Sequence, residues 1–117
     1  MRDFKKLLVW QKAHELVLEV YRVTANYPKE ELFGLTSQTR RAVCSITHNI
    51  AEGCGRHTEA DLARFMDISA GSAFELDDQL MIGRDLHYLP IADYDRLSLG
   101  IEEVKKMLNS YIQKLRS

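Results

Sequence analysis

Seven apolar residues near the C-terminus, Tyr94, Leu97, Ile101, Val104, Leu108, Tyr111 and Leu115, recur at alternating spacings of three and four. Three heptads of this pattern place one unbroken stripe along a helix, and such a seam packs on a neighbouring helix at a shallow angle. A segment of this kind cannot bury its stripe alone, so it demands helical partners. The rest of the chain supplies three. The first, from about residue 8 to 26, repeats Trp10, Ala13, Leu16/Val17, Val20/Tyr21 and Thr24 and stops at Tyr27-Pro28, because the residue before proline is pushed out of the helical region. The second, from about 36 to 52, carries Thr39, Val43, Ile46 and Ile50 on one face. Thr36 or Ser37 is expected to cap its start, and Gly53 or Gly55 to close it in the left-handed conformation. The third, from about 58 to 87, opens at Thr58 with Glu59 and Asp61 in its first turn, where negative charge suits the helix dipole. Its stripe is Leu62, Phe65/Met66, Ser69/Ala70, Ala73, Leu76, Leu80 and Gly83. The heptad segment is then the fourth helix, from about 92 to 115.

No strand pattern or repeat interrupts this series, and the connections are short. The expected fold is all-α, an antiparallel up-down-up-down four-helix bundle forming one domain over residues 1–117. A chain of 117 residues with 45% hydrophobic and 28% charged residues has core enough without disulfides or metal. Its two cysteines, Cys44 and Cys54, are too few for a disulfide framework. No apolar run suits a membrane span or a signal peptide, so a soluble, cytoplasmic protein is expected. Helix four has further apolar residues, Leu99, Met107 and Ile112, off its seam, and helix one spreads Trp10, Val17 and Tyr21 to one side. A helix that is apolar on more than one stripe buries more than one side, which points to a second copy of the chain as partner.

Candidate chemistry is sparse. Carboxylate di-metal bundles need Glu-x-x-His turns, and none occurs. Cys44, His48 and Glu52 share a helical face, with Cys54 and His57 following, but the spacing fits no zinc motif. The glycines of Gly53-Cys54-Gly55-Arg56 follow a helix instead of a strand, which makes them a helix stop and not a phosphate loop. Arg41 and His48 lie two turns apart in RAVCSITH. That spacing resembles the Arg-x4-6-His pair of HEPN-class RNA-cleaving bundles, without the polar residue that usually follows the arginine. The expectation is no catalytic residue, no cofactor, no metal and no small-molecule substrate.

Charge offers one lead. The net charge is −1, unlike the strongly basic balance of most phosphate-binding domains. Yet residues 1–57 hold nine Lys/Arg against six Asp/Glu, and residues 58–117 hold seven against eleven. Arg40, Arg41, Arg56, His57 and Arg64 are therefore the candidate surface for nucleic acid or another partner. A second group, Arg41, Ser45, Asn49, Glu52, Ser72 and Glu75, joined by Gly71 and Gln79, places polar side chains where helices two and three should meet. Such groups must satisfy one another, so a structural polar network is expected there.

Three stretches, LLVWQKAHELVLEVY, YPKEELFGLTSQTRRAVCSITHNIAEGCGR and RFMDISAGSAFELDDQL, resemble the 23S rRNA intervening-sequence protein family over nearly the whole chain. Gly34, Gln38, Arg41, Ser45, Asn49, Glu52, Gly53, Arg56, Gly71, Ser72 and Glu75 match its pattern. The resemblance implies a four-helix bundle encoded in, among other places, insertions within bacterial large-subunit rRNA genes. It also implies kinship with the accessory variability determinant of diversity-generating retroelements, a homopentamer that binds a reverse transcriptase and nucleic acid through basic surfaces. The present chain departs from that relative in being slightly acidic. The expectation that follows is a non-enzymatic homo-oligomer, a pentamer, acting by binding to RNA or to an RNA-handling protein. An RNA-cleaving enzyme using Arg41 and His48, and a scaffold with no nucleic-acid partner, are the alternatives.

Overall fold

A computed structural model describes residues 1–117. It is all-α, with four helices and no strand: α1 (Leu8–Thr24), α2 (Leu35–Cys54), α3 (Glu59–Asp85) and α4 (Ile91–Arg116). Single 3-10 turns at Phe4–Lys6 and Lys29–Glu31 precede α1 and α2; the sequence pattern did not reveal them. Each helix packs on two others: α1 on α2 and α4, α3 on α2 and α4, with the α2–α3 contact the most extensive. A single apolar cluster of 23 buried residues joins all four. Much of the expected stripes lies in it, including Val43, Ile46 and Ile50 of α2 and Leu97, Ile101, Val104 and Leu108 of α4, while Tyr94, Tyr111 and Leu115 of the α4 seam pack half-buried against it. Buried polar side chains in the stripes are satisfied within the fold. Thr39 donates to the Leu35 carbonyl at 2.7 Å, and Ser69 donates across to the Ile46 carbonyl at 2.8 Å, pinning α3 to α2.

Helix ends follow local chemistry in some places and distant chemistry in others. Thr58 caps α3 as expected, accepting the Asp61 N–H at 3.1 Å. Helix α2 starts otherwise than expected. Neither Thr36 nor Ser37 caps it; Thr36 is buried inside the first turn. Glu31 takes the role from outside the helix, its Oε1 accepting the Leu35 N–H at 3.2 Å while its Oε2 accepts the Tyr88 hydroxyl at 3.2 Å. One carboxylate thus caps α2 and ties it to the loop after α3. Neither Gly53 nor Gly55 is left-handed. Gly55 ends α2 at φ −82°, and Gly53 lies inside the helix. The one left-handed residue is His87, φ 66°, which closes α3 as the Tyr88 N–H bonds the Gly83 carbonyl at 2.9 Å and the His87 N–H bonds that of Arg84 at 3.0 Å. Helix α1 stops at Thr24, two residues before the expected Asn26.

The surplus apolar residues are mostly absorbed by the chain's own core, against expectation. Ile112 is buried, and Trp10, Val17 and Met107 pack against the core. Trp10 stacks on His14 and meets the edge of Phe4. Leu99, 75% exposed, and Tyr21 stay outside, and Phe33, in the loop before α2, is 93% exposed.

Tyr27 presents a buried liability. Its phenol fills the space beside Gly83, where a Cβ would stand 2.3 Å from the hydroxyl oxygen, and that hydroxyl has no hydrogen-bond partner. Burial pushes its pKa from 10.0 up to about 12. Between these values the unfolded chain has lost the proton and the folded chain keeps it, so stability falls as pH rises from about 10 toward 12. Tyr27→Phe is expected to gain about 1 kcal/mol at neutral pH by deleting an unsatisfied buried group. It should also shrink the alkaline loss relative to the parent chain. Urea midpoints at pH 7 and pH 11 check both parts; an unchanged alkaline loss refutes the assignment to Tyr27.

Candidate nucleic-acid and partner surface

The turn from α2 into α3 brings two arginines onto one ring. The Arg56 guanidinium lies 4.8 Å from the Phe65 ring centroid and that of Arg64 lies 4.5 Å from it. The local cause is the short Gly55–Thr58 connection, which folds Arg56 back toward the first turns of α3. Each arginine has only a long contact to a carboxylate on its own helix or the adjoining turn, Arg56 to Glu52 and Arg64 to Asp61, both at 3.9 Å between exposed groups. Exposed pairs of that kind contribute little and neutralise little. His57, the next residue in the chain after Arg56, is exposed. The N-terminus closes the same end, with the Arg2 N–H bonded to the Cys54 carbonyl at 2.8 Å. Burial raises the Cys54 thiol pKa, with the Arg2 charge acting against it.

Arg40 and Arg41 are elsewhere. Sixteen residues separate Arg40 from Arg56, roughly 24 Å of helix. Arg40 is engaged in holding α1: its Nε donates to Thr24 Oγ1 at 2.9 Å, its Nη2 to the Tyr21 carbonyl at 3.5 Å, and its guanidinium lies 4.6 Å from the Tyr21 ring centroid. The five residues of the candidate surface therefore divide into a pair on one ring, Arg56 and Arg64, with His57 adjoining Arg56 in the chain, a structural clamp, Arg40, and a separate residue, Arg41.

Arg41 belongs to a groove between α2 and α3. The groove has a volume of about 550 Å³ and is lined by Gln38, Arg41, Ala42, Ser45, Ser72, Glu75 and Gln79. Its floor is an ordered relay. Asn49 Nδ2 donates to the Ser45 carbonyl at 2.8 Å and to Ser45 Oγ at 3.0 Å, and Ser45 Oγ meets Ser72 Oγ at 2.7 Å. Of the expected network, Ser45, Asn49 and Ser72 bond one another. Arg41 and Glu75 line the groove without a salt bridge or hydrogen bond, and Glu52 lies beyond it beside Arg56. Gln79 is 8% exposed, and its Oε1 has no partner.

Arg41 and His48 do not hydrogen-bond each other, and His48 is exposed. Cys44 lies 3.8 Å from the Tyr21 hydroxyl, and that contact raises the Tyr21 pKa. No three His, Cys, Asp or Glu side chains converge in the way a metal ion requires. No helix is long and apolar enough to cross a membrane. The residue that sequence reading missed is Phe65. Its helical spacing assigned it to the core, whereas it is half-buried with both guanidinium groups against its ring.

Known proteins bear on this geometry in three ways. A search of curated proteins finds no match. A crystal structure of a protein of unknown function from the S23 ribosomal protein family of Bacteroides thetaiotaomicron shares the fold, with a TM-score of 0.84 over 91% of this chain and 96% of that one at 23% identity. The model of the 23S rRNA-intervening sequence protein family matches residues 5–110. With all but its two ends matched, the chain belongs to the 23S rRNA-intervening sequence protein family.

Proposed function

We propose that the chain is a non-enzymatic, cytoplasmic binding protein that assembles into a closed homo-oligomer, a pentamer, and engages RNA or an RNA-handling protein. The observation that carries the RNA reading is the Arg56–Phe65–Arg64 cluster. Two weakly paired guanidinium groups on one aromatic ring combine phosphate attraction with a stacking surface, the pairing that single-stranded nucleic acid uses. The overall charge of −1 does not oppose it, because phosphate contacts act locally. The proposal takes residues 1–117 as one up-down-up-down domain. Its support is connection length: the loop after α3 has five residues, Leu86–Pro90, and reaches at most about 18 Å. Helix α3 has 27 residues and is roughly 40 Å long, so the loop cannot return along it. Exposed Phe33, Leu99 and Phe74 support self-association, being large apolar groups left in water.

Light scattering and an RNA titration test the two halves. A mass near five times 13.5 kDa is expected, and a monomer at micromolar concentration refutes the pentamer. Affinity for single-stranded RNA should fall steeply with added salt. Absence of binding at low salt leaves the scaffold alternative.

A further inference from the structure

We infer that the groove between α2 and α3 receives an unpaired guanine base of RNA, read by Arg41 on one edge and by Glu75 and Gln79 on the other. The inference rests on the RNA reading above and adds a ligand to a groove that the Arg56–Phe65–Arg64 cluster does not touch. Its starting point is an imbalance. Gln79 is more than nine-tenths buried, lines the groove, and has an unpartnered Oε1, although buried polar atoms in folded proteins are nearly always bonded. Its last side-chain torsion is broad and two-fold, so the carbonyl can turn to meet a donor in the groove.

Arg41 and Glu75, the two charged groups of the groove, make no hydrogen bond or ion pair with each other or with anything else in the chain. The wall also offers a directed hydroxyl. With Asn49 donating to Ser45 Oγ, Ser45 can donate to Ser72, which leaves the Ser72 hydrogen free. A matching ligand presents adjacent donors to the Glu75 carboxylate and the Gln79 carbonyl, and adjacent acceptors to the Arg41 guanidinium. Guanine does so on one rigid ring: N1–H and N2–H on its Watson–Crick edge, O6 and N7 beside them. Arginine commonly takes O6 and N7 as a bidentate pair. Adenine and cytosine turn a ring-nitrogen acceptor toward the carboxylate, and uracil offers one donor between two acceptors. Unstacked bases read on these edges are the usual target of sequence-specific RNA recognition. At about 550 Å³ the open groove is within the range of small-ligand sites, roughly 300–1,000 Å³.

Fluorescence anisotropy with labelled oligouridine tests this. One central uridine is replaced by guanosine, inosine or adenosine, and the full-length protein is titrated with each. Guanosine should bind at least tenfold tighter than uridine or adenosine. Inosine, which lacks the N2 amino group, should fall between. Arg41→Ala and Glu75→Ala, both at exposed positions, should abolish the preference, so that guanosine-, adenosine- and uridine-bearing oligomers bind alike. Oligouridine binding without base preference overturns the guanine site and leaves the RNA proposal standing. No binding to any oligomer removes both. If either variant changes the mass in light scattering instead of the base preference, a second copy covers the groove and the inference fails.

Discussion

Gly53→Val is expected to lower the unfolding free energy by about 3 kcal/mol, at the upper end of ordinary overpacking. Gly71→Ala is expected to raise it by roughly 0.5–1 kcal/mol. Both are helical glycines, and the difference lies in what stands opposite. A Cβ on Gly53 would be 2.9 Å from Phe65 Cβ, 3.0 Å from Leu62 Cδ1 and 3.3 Å from the Leu62 carbonyl oxygen. Phe65 Cβ and the Leu62 carbonyl belong to the rigid part of α3. They cannot move aside without shifting the helix, and the α2–α3 contact is the largest in the bundle. Removing a helical glycine returns about 1 kcal/mol of backbone entropy, too little to offset that clash. A Cβ on Gly71 would meet nothing within 4 Å beyond the backbone of its own helix, so only the entropic gain remains. In a domain whose total stability is of order 5–15 kcal/mol, the first change is large. Urea unfolding of the two variants checks the signs, and a Gly53→Val loss below about 1 kcal/mol contradicts the close approach.

Gly53 also marks where the sequence stops being legible. Periodicity alone located the core: Thr39, Val43, Ile46 and Ile50 are all buried, as is the seam from Leu97 to Leu108. These positions depend only on the 3.6-residue repeat, and Thr58 was readable as a cap because its partner is three residues away. Gly53 looked like a helix stop because a glycine near a helix end usually is one. Its reason to be glycine is a contact with another helix. Glu31 caps α2 from outside, and Arg40 reaches from α2 to the last turn of α1; both are tertiary events that no local pattern encodes. Width of apolar stripe was likewise ambiguous. It shows that a side is buried and not by which chain, and Ile112 turned out to face its own core. In the candidate site the residue types of the α2–α3 groove were readable, since Ser45, Ser72, Glu75 and Gln79 are polar where helices meet. The pairing of Ser45 with Ser72, the isolation of Gln79 and the convergence of two arginines on Phe65 needed the relative positions of the helices.

Arg56→Ala/Arg64→Ala is expected to weaken single-stranded RNA binding about 10- to 100-fold and to flatten its salt dependence. The two guanidinium groups share one ring, at 4.8 and 4.5 Å from its centroid, so they form one feature and are best removed together. Their carboxylate contacts at 3.9 Å are too long and exposed to quench them. If each contacts one phosphate, the slope of log affinity against log salt should fall by roughly 1.4, at about 0.7 per phosphate on single strands. Arg96→Ala is the matched control. Arg96 is equally exposed but pairs with Asp93 at 2.7 Å and Glu19 at 3.5 Å, and its loss should leave both affinity and slope unchanged. Circular dichroism should show full helicity in all three proteins, because none of these side chains lies in the core. Equal loss in the control would mean that RNA responds to total charge alone, and an unchanged slope in the double variant would mean that RNA binds on another face.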